Sequence, residues 1–119
     1  MTYTCIAIDD DPLFLKMLQV LIAEIPELEL LATFTNPVDG VMAAVKQKPN
    51  LMFVDYEMPY LDGFESLEIM DELPKIIMIS GYLQAYEVED SELDISGFIS
   101  KNDLRSSDIL RQKVLDVMS

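Results

Sequence analysis

Five short apolar runs, separated by stretches with helical spacing, constrain the fold of this chain more than any other feature. The runs are Tyr3–Ile8, Glu29–Phe34, Asn50–Val54, Lys75–Ile79 and Gly97–Ile99. Three of them are almost continuously apolar, which is typical of parallel strands that helices cover on both faces. Because strands and helices alternate along the chain, the pattern predicts an α/β fold with right-handed crossover connections.

Start signals for helices lie between these runs. Asp11-Pro12 and Asn36-Pro37 each place a capping residue before a proline at the first helical position. Asp62–Glu65 resembles a capping box, and Ser106 or Ser107 is suited to cap a last helix. In the second helix we expect one buried apolar face, formed by Val38, Val41, Met42 and Val45.

Gly81–Ser96 is the least regular segment, with poorly periodic apolar residues and five acidic residues between Glu87 and Asp94. We expect a helix there, with its acidic residues facing solvent. Five strands in 119 residues fit a single domain that spans residues 1–119. The expected architecture is a flavodoxin-like, doubly wound parallel sheet of order 2-1-3-4-5 with helices on both faces.

The charge balance excludes several functions. With 22 acidic and 8 basic residues, the net charge is −14, which disfavours direct binding of nucleic acid. No apolar stretch approaches the roughly 20 residues needed to cross a bilayer. The lone cysteine, Cys5, lies in an apolar run and predicts a buried thiol in a reducing, cytoplasmic protein. The chain has no histidine, so a partner must supply any phosphohistidine chemistry.

Polar side chains follow four of the five predicted strands. Asp9–Asp11 follow the first strand, Asp55 the third, Ser80 the fourth and Lys101 the fifth. Sites of doubly wound folds form at the carboxyl ends of the strands, so these side chains should meet at one edge. Clustered carboxylates without histidine or a second cysteine favour a hard cation, Mg²⁺ first, which prefers phosphoryl oxygens as further ligands. Asp55 would then be a nucleophile for phosphoryl transfer.

Four segments carry a family resemblance. Ile8–Pro12, Phe53–Pro59, Ile79–Gly81 and Phe98–Lys101 resemble the signatures of the receiver domain of bacterial two-component response regulators, the chemotaxis-Y-like family. The resemblance extends from about Tyr3 to Met118. Each segment alone is weak, whereas all four in order, each at a strand end, form a specific pattern.

The resemblance implies a phosphoacceptor and a metal site. Asp55 is the expected phosphoacceptor. Asp10 and Asp55 are expected to bind Mg²⁺ directly, Asp9 through water, and the backbone carbonyl of Glu57 to complete the site. Asp11 is expected only to stabilise the start of the first helix.

The resemblance also implies a switch and its partners. Lys101 is expected to pair with Asp55 or its phosphate, Ser80 to bind the phosphate, and Phe98 to rotate as Ser80 moves. The implied partners are a sensor histidine kinase or a small phosphodonor, and a downstream effector domain or protein, with homodimerisation as a further option. Such a domain is not an enzyme, although it assists its own phosphorylation and dephosphorylation. Ser91–Gly97 is similar to receivers that precede LytTR-type DNA-binding domains.

One residue departs from the family pattern, and two alternatives stay open. Asn102 stands where the family has a proline after a cis peptide, so we expect a trans bond or a strained cis bond. The first alternative is a haloacid-dehalogenase-like phosphatase with Asp9 as nucleophile and Ser80 and Lys101 as its later motifs. The second is a degenerate receiver that binds partners without being phosphorylated.

Overall fold

The structure, a computed structural model, describes residues 2–56, 72–81 and 95–119. Glu57 and the expected helix start at Asp62–Glu65 lie outside these ranges. Most of the segment Gly81–Ser96, in which a further helix was expected, also lies outside them. Within them the strands are β1 (Tyr3–Ile8), β2 (Leu28–Phe34), β3 (Leu51–Asp55), β4 (Lys75–Ser80) and β5 (Gly97–Ser100). The helices are α1 (Pro12–Ala23), α2 (Pro37–Gln47) and α3 (Ser107–Met118), and a short 3-10 turn occupies Lys101–Asp103.

The five strands form one parallel sheet of order β2-β1-β3-β4-β5, which confirms the predicted fold class and strand order. The sheet directs alternate side chains to opposite faces. On one face, strand residues such as Phe53 and Ile77 pack with α1 and α3. On the other face, residues such as Met52 and Met78 pack with α2. Helices therefore cover both faces, as the continuously apolar runs indicated.

The capping signals of three helices are confirmed. Asp11 accepts a hydrogen bond from the Leu13 N–H at 3.0 Å, and Asn36 accepts one from the Val38 N–H at 2.8 Å. Ser106 is the N-cap of α3. No helix among the described residues is long and apolar enough to cross a membrane.

The expected buried face of α2 was largely wrong. Val41 is buried, but Val38, Met42 and Val45 are each about half exposed or more. The face that packs on the sheet consists instead of Pro37, Gly40, Val41 and Ala44. At Gly40 an added Cβ would lie 2.5 Å from two side-chain atoms of Ile8. The helix approaches β1 so closely that residue size, rather than apolarity, selects the buried face.

This close approach predicts a strong effect of side-chain size at position 40. Gly40→Val should lower the free energy of unfolding by about 2–3 kcal/mol, because the buried Ile8 side chain must shift to admit the larger residue. Urea unfolding measures the change. Val45→Ala, on the exposed side of the same helix, is the control and should change stability by less than about 0.5 kcal/mol. Equal effects at the two positions would contradict the packing described for α2.

The Cys5 thiol generates a second prediction. Burial, with a smaller contribution from Glu29, raises the pKa of Cys5 to about 12. The native protein should therefore resist thiol reagents at pH 8 and react fully in denaturant. The unfolded thiol ionises near its ordinary pKa of 9.0, so the stability due to the protonated thiol is complete below that pH and is lost as pH rises toward 12. Cys5→Ala should show a shallower loss of stability over this range; an unchanged slope would contradict the assignment.

Candidate metal and phosphoryl site

The carboxyl ends of the strands bring the predicted polar residues to one edge of the sheet. Asp9 directly follows β1, Asp55 is the last residue of β3, Ser80 ends β4, and Lys101 follows β5. In the sheet, Asp55 is paired with Ile79 and Ser80 with Ser100. Parallel pairing in this register places these strand ends side by side.

Three carboxylates form the centre of the site. Asp9, Asp10 and Asp55 each offer an oxygen atom within 4.8 Å of the other two. Asp9 and Asp55 are 2% and 3% exposed, whereas Asp10 is exposed. Two such charges 4 Å apart repel by about 4 kcal/mol at an effective dielectric constant of 20. A divalent cation would relieve this repulsion, and three carboxylates without a nitrogen or sulfur ligand are a donor set that fits Mg²⁺.

Lys101 lies against this cluster. Its Nζ is 2.9 Å from Oδ2 of Asp9 and 3.9 Å from Oδ2 of Asp55. The shorter contact is an ion pair without the alignment of a good hydrogen bond. The expected partner of Lys101 was Asp55, but in this structure Asp9 is closer. Lys101 is therefore shared between the two carboxylates rather than dedicated to one.

Asp9 and Lys101 each influence the pKa of the other. Burial raises the pKa of Asp9 above its usual range, although the Asp11 N–H and the Lys101 ammonium oppose the shift. Burial alone would lower the pKa of Lys101, but Asp9, with smaller contributions from Asp55 and Asp11, holds it above its usual range. Lys101 thus remains a cation at neutral pH and partly compensates the buried negative charge.

The start of α1 holds Asp9 in place. Oδ1 of Asp9 accepts a hydrogen bond from the Asp11 N–H at 2.8 Å, and the Asp9 N–H donates to the Phe34 carbonyl at 3.0 Å. Asp11 itself points its carboxylate to the first turn of α1, where it accepts from Leu13. Asp11 is thus a helix cap, as expected.

The departure at Asn102 has a local explanation. The structure has no cis peptide among the described residues, so the bond before Asn102 is trans, in line with the first of the two expectations. The Asn102 N–H donates to Oγ of Ser100 at 3.2 Å and begins the 3-10 turn that carries Lys101. Proline lacks this N–H. Asparagine therefore closes the turn with a hydrogen bond that the family's usual residue cannot form.

Two further predicted residues lie near the site, and one contact was not foreseen. Ser80 is fully buried, and Phe98 is partly buried against the core face that includes Tyr56. The Phe14 ring, by contrast, lies 4.5 Å from the Lys101 Nζ, measured to the ring centroid. Helical spacing indicated only that Phe14 is a core residue, since nothing in the spacing shows that the end of β5 reaches the first turn of α1.

Comparisons with known proteins identify the family. The profile described as the response regulator receiver domain matches residues 5–113, and the chain belongs to this family. It is similar to an uncharacterized response regulatory protein of Vibrio cholerae, with 33% identity over 87 residues, which cover 72% of this chain and 33% of the relative. The chain thus spans about a third of the length of such curated relatives.

Solved structures agree on the fold. The response regulator domain of Thermotoga maritima CheB has a TM-score of 0.79 at 23% identity, over 100% of this chain and 98% of that chain. A chain of the CheX–CheY–BeF₃–Mg²⁺ complex of Borrelia burgdorferi has a TM-score of 0.84 at 20% identity, over 98% of this chain and 90% of that chain. Both are receiver structures, so the fold of this chain is the receiver fold.

The cluster predicts a specific response to Mg²⁺. Mg²⁺ should raise the melting temperature, and a concentration of 100 times the dissociation constant would add about 2.7 kcal/mol to the free energy of unfolding. Asp10→Asn should abolish most of this gain because it removes a member of the cluster.

Asp11→Asn is the matched control for this measurement. It removes the same charge one residue away and preserves the helix cap, since asparagine and aspartate cap equally well. This variant should keep the Mg²⁺ response. An equal loss in both variants would mean that Mg²⁺ acts on the diffuse negative charge of the protein rather than on the cluster.

Proposed function

We propose that this chain is a phosphorylation-dependent signalling switch that accepts a phosphoryl group on Asp55. The observation that carries the proposal is the convergence of Asp9, Asp10, Asp55 and the Lys101 ammonium at the carboxyl edge of a receiver sheet. We further propose that residues 1–119 form one receiver domain and that the protein is cytoplasmic. The domain is a phosphoacceptor that assists its own phosphorylation and dephosphorylation rather than an enzyme acting on other substrates.

The chemistry follows from the charges of the site. An Oδ atom of Asp55 attacks the phosphorus atom of a histidine kinase's phosphohistidine or of a small phosphodonor. A P–O bond to Asp55 forms as the bond to the leaving group breaks, and the leaving group takes the electron pair. Lys101 neutralises negative charge on the transferring oxygens. Mg²⁺, when held by Asp10, Asp55 and the Glu57 carbonyl, and through water by Asp9, would supply further charge neutralisation at the phosphoryl oxygens.

The output follows from the change in charge. Phosphorylation replaces the single negative charge of the Asp55 carboxylate with the roughly −1.5 to −2 charges of an acyl phosphate. Ser80, at the end of β4, is the proposed ligand for the phosphate. Phe98, on the adjacent strand β5, is the proposed switch residue. The downstream partner is an effector domain or protein that distinguishes the two states, with a coupling free energy on the order of 1–3 kcal/mol. A second copy of this chain, bound as a homodimer, is a further proposed partner.

The two alternatives make different predictions about the nucleophile. Asp9 is an unsuitable nucleophile in this geometry because Oδ1 accepts from Asp11 and Oδ2 is paired with Lys101. A degenerate receiver would have no nucleophile at all. The match to the receiver family and the strand order both weigh against the phosphatase.

Intact-mass spectrometry after incubation with acetyl phosphate tests the proposal. A single phosphoryl adduct should form with Mg²⁺, disappear with EDTA and disappear in Asp55→Asn. Asp103→Asn, an exposed acid beyond Lys101, is the control and should form the adduct at the wild-type rate. An adduct that persists in Asp55→Asn and is lost in Asp9→Asn would instead indicate the phosphatase. If no adduct forms from acetyl phosphate or from the cognate histidine kinase, the degenerate receiver is the correct assignment.

A further inference from the structure

Phe14 contacts the site without belonging to its polar cluster. The Lys101 Nζ lies 4.5 Å from the centroid of the Phe14 ring. Phe14 is 8% exposed, so protein atoms rather than water surround most of the ring. An ammonium group within about 6 Å of an aromatic centroid is attracted to the face of the ring, more strongly when water is excluded. The contact is therefore an electrostatic interaction as well as a packing contact.

The ring differs from the other partners of Lys101 in one respect. Asp9 and Asp55, at 2.9 Å and 3.9 Å, are also members of the cluster that fits a divalent cation. A cation at the cluster would compete for their negative charge and weaken their hold on Lys101. The Phe14 ring has no oxygen to offer a hard cation. Its attraction for the ammonium would persist when the cluster is occupied.

The backbone fixes the ring relative to the acids. Phe14 lies in the first turn of α1, whose start is held by the hydrogen bonds from the Asp11 N–H to Asp9 and from the Leu13 N–H to Asp11. A further hydrogen bond joins the Leu15 N–H to the Asp11 carbonyl at 3.1 Å. The same short segment therefore positions both Asp9 and the ring around Lys101.

We propose that Phe14 is a positioning residue that keeps the Lys101 ammonium within reach of Asp55 when the acidic cluster is occupied. The inference rests on the proposed phosphoryl transfer to Asp55. Attraction to a ring face does not require a carboxylate-like acceptor, so the N–H groups of Lys101 stay available to phosphoryl oxygens. Phe14 thus acts through Lys101 and does not itself touch the phosphoryl group.

The test compares two substitutions at position 14. Phe14→Leu keeps an apolar side chain but removes the ring face, whereas Phe14→Tyr keeps the ring. With acetyl phosphate and saturating Mg²⁺, the rate of adduct formation should fall on the order of fivefold in Phe14→Leu and stay within about twofold of wild type in Phe14→Tyr. Leu15→Val, a buried change in the same turn, is the packing control and should leave the rate unchanged.

Two readouts separate positioning from general packing. In a Lys101→Met background, Phe14→Leu should cause no further loss of rate, because the ring would have no ammonium to hold. In ¹H–¹³C spectra, the Lys101 Hε resonances should show an upfield ring-current shift that is lost in Phe14→Leu and retained in Phe14→Tyr. An undiminished rate in Phe14→Leu, or an equal loss in the Lys101→Met background, would overturn the inference. A wild-type protein that forms no adduct from acetyl phosphate or from its cognate histidine kinase would overturn the proposed function itself, and the role of Phe14 with it.

Discussion

The mutual repulsion of three carboxylates at one edge of the sheet dominates the electrostatics of the site. Asp9 and Asp55 are almost completely buried, and Asp10 lies within the same 4.8 Å cluster. Burying such charges is costly unless a counter-charge is near. Lys101 is the counter-charge in the described part of the structure, and the 3-10 turn after β5 and the cap of α1 hold it against the acids.

The positive charge of Lys101 does not fully compensate the negative charge of the three carboxylates. Among the described residues, one ammonium accompanies three carboxylates, in a chain that carries a net charge of −14. The remaining negative charge makes the edge attractive to a divalent cation, and a cation in turn would make it attractive to phosphoryl oxygens. Because Lys101 is shared between Asp9 and Asp55, a change of charge at either carboxylate alters the electrostatic force on its ammonium. A site with this property is suited to a switch.

Much of this arrangement could be predicted from the sequence, for physical reasons. Continuous apolar runs indicated strands buried on both faces, and the polar residues that follow them could only meet at one edge of a parallel sheet. The prediction failed at α2, where apolarity indicated Val38, Met42 and Val45 but the close approach of the helix to Ile8 selected Gly40 and Ala44.

The contact between Phe14 and Lys101 was not predictable in the same way. Residues 87 positions apart in sequence carry no shared periodicity, and an aromatic residue on a helix is usually explained by the core. Likewise, the preference of Lys101 for Asp9 over Asp55 depends on distances of an ångström, which patterns of residue type do not encode. Strand and helix patterns predict which strand ends meet. They do not predict every contact between a helix and a loop, or which of several near neighbours is closest.

Trapping the acyl phosphate tests whether Asp55 is the residue that becomes phosphorylated. Borohydride reduces an aspartyl phosphate to homoserine with release of phosphate, which leaves a stable mark at the modified residue. After incubation with phosphodonor and Mg²⁺, reduction and peptide sequencing by mass spectrometry should find homoserine at position 55 and aspartate at positions 9 and 10. Homoserine at position 9, or no homoserine at position 55, would mean that Asp55 is not the phosphoacceptor.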